Sequence, residues 1–104
     1  MRTLNDYFIS GRVADISTAG STFVAVPDGG RIIKIMTVLQ GAISGGNAAI
    51  TFEIGGTAVT NAGITVAHSG SATGTMDSSV PSALNEVAED GSIEIITDGN
   101  STGA

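Results

Sequence analysis

One histidine, ten acidic residues, four basic residues and no cysteine are the reactive inventory of this 104-residue chain. His68 follows Ile64-Thr65-Val66-Ala67 and precedes a serine- and glycine-rich stretch, so it could be a general base or a metal ligand. Either role needs converging partners: a nucleophile and an orienting acid for a triad, or three or four ligands for zinc. The sequence offers none at a suitable spacing, and the simpler reading is a partly exposed residue at a strand end. Asp98-Gly99-Asn100-Ser101-Thr102-Gly103 imitates the opening half of a calcium loop, with oxygen side chains at alternate positions and glycine sixth. Its twelfth-position glutamate would lie beyond Ala104, so an ordinary Asp-Gly turn is expected. Asn100-Ser101-Thr102 also fits a glycosylation sequon, which without a secretory signal reads as a chance match. Glu86, Glu89 and Asp90 could form an acid pair or a cation site, but nothing nearby would hold two carboxylates at catalytic separation. A solvated loop face is the better reading.

The glycines invite phosphate-site readings that fail on spacing. No two stand two apart, which excludes the dinucleotide fingerprint, and Lys34 does not follow a phosphate loop. The esterase elbow needs serine midway between two glycines, and Gly70-Ser71-Ala72-Thr73-Gly74 has alanine there. The expectation is a chain that is not an enzyme, with no cofactor, no metal and no small-molecule substrate.

Charge narrows the partners. The net charge is -6, and Arg2, Arg12, Arg31 and Lys34 are scattered instead of clustered, so the field repels a polyanion and nucleic acid is not an expected partner. Met1-Arg2-Thr3-Leu4-Asn5-Asp6 has no apolar stretch behind its arginine, and no window has the length of a membrane helix. The sequence therefore predicts a soluble chain without a classical export signal and without a membrane partner. Charged residues make up 13%, against roughly a quarter in an average soluble domain. Charge suppresses edge pairing and association, so its scarcity hints at assembly.

The elements that would position these groups read as strands. Fifteen glycines and two prolines punctuate short runs of Ile, Val, Thr and Ala, with no long helix. From Asn47 to Thr60, Ala48, Ile50, Phe52 and Ile54 share one parity, and Gly55-Gly56 supplies a two-residue primed turn. Counting from that turn sets Ile54 opposite Thr57, Phe52 opposite Val59 and Thr51 opposite Thr60. Ser21 to Val26 reads as a strand ended by Pro27-Asp28-Gly29-Gly30. Arg31 to Gln40 follows as a strand with two apolar faces, Ile33, Ile35 and Leu39 on one, and Ile32, Met36 and Val38 on the other. The second face is either covered by another sheet or is a subunit contact.

Further on, Ile64 to Ala67 reads as a short strand, Ser69 to Thr75 as a surface loop or extended edge, Pro81 to Glu86 as one helical turn, and Ile93 to Thr97 as a strand after Asp90-Gly91. Asp98-Gly99 resembles the middle of a hairpin whose return, Ser101 to Ala104, is too short and small to pair usefully. Either the chain stops short of the natural product and lacks the return strand, or Ile93 to Thr97 lies at an edge completed by another chain. One domain, residues 1-104, is expected, with Ile33, Ile35, Leu39, Ile50, Phe52, Ile54, Val59, Ile93 and Ile95 in its core. Ile32, Met36, Val38 and Ile96 are the candidate subunit interface.

The order of segments resembles a known group. Tyr7-Phe8-Ile9-Ser10-Gly11-Arg12-Val13-Ala14-Asp15-Ile16-Ser17, Val24-Ala25-Val26-Pro27-Asp28-Gly29-Gly30, Val38-Leu39-Gln40-Gly41-Ala42-Ile43 and Ile54-Gly55-Gly56-Thr57-Ala58-Val59-Thr60 are similar to small head decoration, or cement, proteins of tailed bacteriophages. The likeness continues through Gly63-Ile64-Thr65-Val66-Ala67, Ser69-Gly70-Ser71-Ala72 and Thr97-Asp98-Gly99, and none of these segments is a catalytic signature. The resemblance implies an all-β subunit, a β-sandwich or jelly roll. It also implies a virion protein assembled in the host cytoplasm that binds the major capsid protein on the outer capsid surface as a trimer or dimer and reinforces contacts between capsid subunits. Related chains continue past the Asp-Gly turn into another apolar strand, which this sequence lacks. The competing expectation is a head-fibre or tail-associated receptor-binding module.

Overall fold

The computed structural model describes residues 9–27 and 29–102. The expectations resting on Met1 to Asp6, on Asp28 and on Gly103-Ala104 lie outside them. The described chain is all-β and antiparallel, with β1 (Gly20–Val26), β2 (Gly30–Arg31), β3 (Ile35–Val38), β4 (Ala48–Ile54), β5 (Thr57–Ala58), β6 (Ile64–Val66), β7 (Met76–Ser79), β8 (Glu86–Val87) and β9 (Gly91–Thr97). The main sheet runs β1-β9-β4-β5, and β6 pairs with the other half of β4. Two ribbons, β2-β8 and β3-β7, accompany it, and the sheets are not closed on each other.

Parity decides which side of the main sheet is buried. Val24 sits opposite Ile93, Thr22 opposite Ile95, and Ile95 in turn opposite Phe52, so one apolar row crosses three strands. Phe52, Ile93 and Ile95 join Ile16, Leu39, Ile43, Ile50, Val59, Ile64 and Val66 in or against the core. The outer face of the same strands carries Ser21, Phe23, Glu94, Ile96, Thr51 and Glu53. The β4-β5 hairpin has the expected register: Ile54 pairs with Thr57, and Val59 N donates to Phe52 O at 3.0 Å. Gly55 and Gly56 have φ of 60° and 83°, the two positive values that a type I′ turn demands and glycine supplies without a Cβ clash.

Four expectations are corrected. The strand Arg31 to Gln40 is broken, because β2 ends at Arg31 and β3 begins at Ile35. Parity does not carry across the break, and Ile33 is 62% exposed instead of buried. The strand from Ile93 to Thr97 is not an edge: β9 lies between β1 and β4 and is paired on both sides. After it, Asp98 Oδ1 accepts from Ala49 N at 3.2 Å and from Asn100 N at 3.1 Å, which turns the chain back. Ser101-Thr102 does find a partner, since Ser44 and Thr102 exchange backbone hydrogen bonds of 2.9 and 2.8 Å. Pro81 to Glu86 forms no helical turn. Thr60 and Ala83 form an isolated bridge, Leu84 has φ 54°, and the buried Asn85 donates from Nδ2 to Ile32 O at 2.7 Å while its own carbonyl accepts from Ile32 N. A left-handed residue cannot continue a right-handed helix. Two strands, β7 and β8, were not foreseen. The sequence of β7, Met-Asp-Ser-Ser, has too little apolar content to announce it, and pairing with β3 creates it, while β8 is only two residues long and is defined by its pairing with β2.

Candidate functional site

Several of the residues singled out for chemistry, His68, Ser71, Asp98 and Asp90 among them, lie in turns and loops. His68, just past β6, is exposed; its backbone N donates to Asn47 Oδ1 at 3.1 Å, and its Nδ1 lies 2.8 Å from the same oxygen. Ser71 Oγ accepts from Ile43 N at 3.0 Å and lies within donating distance of the carbonyls of His68, at 2.8 Å, and Ile43, at 3.0 Å. Together they fasten the loop after β6 to the segments before β4. Asp98 closes a turn, as described. Glu86 stands opposite Arg31 in the β2-β8 ribbon, and Glu89-Asp90 forms the turn into β9, with Asp90 at φ 61°. Among the described residues, no three of His, Cys, Asp or Glu come together as a metal-holding group. Among them too, no helix is long and apolar enough to cross a membrane. Asp15 accepts hydrogen bonds from the Ser17 hydroxyl and from Ser17 N at 2.9 Å, with Thr18 adding a weaker one, and these hold its carboxyl below the ordinary 3.8.

What the fold does concentrate is apolar surface. In the β3-β7 ribbon Val38 pairs with Met76 and Met36 with Ser78, while Ile35 and Thr37 take the opposite parity, and Ile35 packs against the core. Met36, Val38 and Met76 are 54%, 53% and 58% exposed, and Val80, just beyond β7, is exposed as well. Three or four large apolar side chains on one short ribbon exceed the scattered singles of an ordinary surface.

Beside this ribbon lies an open groove of about 740 Å³. Its apolar lining includes Val24, Phe52, Ile93 and Ile95 of the main sheet, Ile35 of β3 and Val13 of the segment preceding β1. Arg12 and Lys34, two of the chain's four cations, also line it. The outer face of the sheet has the opposite sign: Glu53 and Glu94 are direct cross-strand neighbours, and Glu94 Oε2 accepts from Ser21 Oγ at 2.6 Å. Like charges directly opposite are unfavourable, so this pair does not stabilise the sheet.

The four expected interface residues are divided by the structure. Met36 and Val38 share the exposed ribbon face. Ile32 lies half-buried in the link between β2 and β3, held by Asn85, and Ile96 is half-buried on the outer face between Ser21 and Thr51. Sequence reading missed Met76, Val80 and Phe23. The first two follow only from the β3-β7 register. Phe23 shares its parity with Ser21 and Ala25, and nothing local says which parity faces out. In comparison with known proteins, the chain matches no family model, no curated protein and no solved structure.

Proposed function

We propose that this chain is a non-enzymatic virion structural protein, a capsid decoration or cement subunit. It would bind the major capsid protein on the outer surface of a phage head, act as a dimer or trimer, and reinforce contacts between capsid subunits. In this reading the open β-layers become a sandwich or jelly roll only when neighbours cover them. The observation that carries it is the exposed apolar ribbon of Met36, Val38 and Met76 beside an open apolar groove. Sparse charge and the sequence resemblance to cement proteins support it.

Magnitudes show how such a subunit would work. Each of the three half-exposed side chains gains about 1 kcal/mol on full burial. One copy therefore contributes about 3 kcal/mol from this patch, weaker than a millimolar contact. Linked copies on a repeating shell convert later contacts into intramolecular ones, and lasting attachment follows from multivalency. The test is co-sedimentation of the purified protein with capsids that lack it. Saturable binding, abolished in the double variant Met36→Lys/Val38→Lys, is expected. Absence of binding by the unaltered protein sinks the proposal, and reproducible hits on a glycan array would favour a receptor-binding module instead.

A further inference from the structure

We propose that β1 is a self-pairing edge, through which two copies of this chain join their main sheets antiparallel about a two-fold axis at Phe23. β1 lies at the end of the sheet order, and among the described residues no backbone hydrogen bond reaches its outer edge. It is seven residues long, Gly-Ser-Thr-Phe-Val-Ala-Val, with no charge, no proline and no bulge in its pairing to β9. Natural sheets blunt free edges with charge, proline, bulges or brevity. The other strands with an open side here, β2, β3, β5, β6, β7 and β8, are four residues or shorter. Among the described residues, β1 alone keeps a long edge without a partner.

The register of a second copy follows from the strand itself. Full antiparallel overlap of Gly20–Val26 with its own copy sets Phe23 opposite Phe23, Ser21 opposite Ala25, Thr22 opposite Val24 and Gly20 opposite Val26. Every pair has matching parity, so the outer residues of one copy continue the outer face of the other, and Val24 continues the apolar row of the inner face. Phe23, 64% exposed on a strand otherwise flanked by small residues, gains an aromatic partner across the axis. Electrostatics permit the contact despite the net charge of -6. The two β9 strands, with their Glu94 side chains, would stand three strand spacings apart, about 14 Å. That exceeds the screening length of about 8 Å at physiological salt. This pairing deepens the oligomeric part of the proposed function, but it requires no shell, so the two fail separately.

The chain contains no cysteine, so single thiols report cleanly. In purified protein, sedimentation should give twice the 10.3 kDa of one chain, falling to one chain in Phe23→Lys with unchanged circular dichroism. Under mild oxidation Phe23→Cys should cross-link in more than half of the chains. The double variant Ser21→Cys/Ala25→Cys, which keeps Phe23, should do the same. Thr51→Cys, on the same face but two strands further in, should stay uncross-linked. A chain that remains monomeric into the millimolar range, a Phe23→Lys variant that still dimerises, or cross-linking at Thr51→Cys as readily as at Phe23→Cys overturns the proposal.

Discussion

The two ends of the main sheet are built differently. Where β4 meets β5 and β6, the sheet edge is divided between two short strands, and Ala48, Phe52, Val59, Ala62, Ile64 and Val66 are buried beneath it. Where β1 and β9 face the groove, Val24, Ile93 and Ile95 are only half-buried, and a seven-residue edge has no partner among the described residues. Both ends use β-branched strands, so propensity does not separate them. What separates them is chain supply: tight turns return β5 and β6 onto β4, whereas no described strand pairs with the outer edge of β1. Among the described residues, the first end is closed over its core and the second stays open.

The largest effect that would test this contrast is a core truncation. Phe52→Ala should cost about 3–5 kcal/mol in urea unfolding, the usual loss for a buried aromatic. Ile93→Ala at the open end should cost clearly less, because its site is already half solvated. Equal losses at the two sites would break the comparison. Next comes Gly99→Ala. Its φ of 71° is strained for alanine, and an added Cβ would lie 2.5 Å from Ala19 N, a backbone atom that cannot swing aside. A loss of about 2 kcal/mol or more in thermal unfolding is expected, because this turn carries the chain out of the central strand.

Met36→Lys and Val38→Lys should each change stability by no more than about 0.5 kcal/mol, as exposed positions do. A larger loss would mean that the ribbon face belongs to the core and is not free. The smallest effect concerns Asp15, whose pKa is depressed in the folded protein by hydrogen bonds from Ser17. A depressed carboxylate stabilises the fold above its unfolded value of 3.8 and loses that contribution as pH falls through the lower folded value. Asp15→Asn should therefore lower the melting temperature slightly at pH 7 and leave it unchanged near pH 2.

Much of the candidate surface was legible because parity is local. The pairing of Ile54 with Thr57, the shared face of Ile50 and Phe52 and the shared face of Met36 and Val38 follow from alternation along single strands and from a Gly-Gly turn that accepts only one geometry. Asp98-Gly99 was likewise recognisable as a turn, since an Asx side chain and a left-handed glycine are local devices.

Neighbour relations were not legible, because they depend on residues far along the chain. Nothing between Ile93 and Thr97 indicates that Gly20–Val26 lies on one side and Ile50 to Glu53 on the other. Nothing in Met76–Ser79 announces a strand until β3 supplies its hydrogen bonds. Ile33 shows the same limit, because its alternation with Ile35 holds only while the backbone stays extended, and the break after Arg31 turned it outward. The sequence by itself determined an all-β chain, the Gly-Gly and Asp-Gly turns, and the alternation of faces along β1, β4 and β6. The tertiary structure decided which strand became central, which edge stayed open and which apolar side chains were left in water, since pairing energy is realised only when distant segments meet.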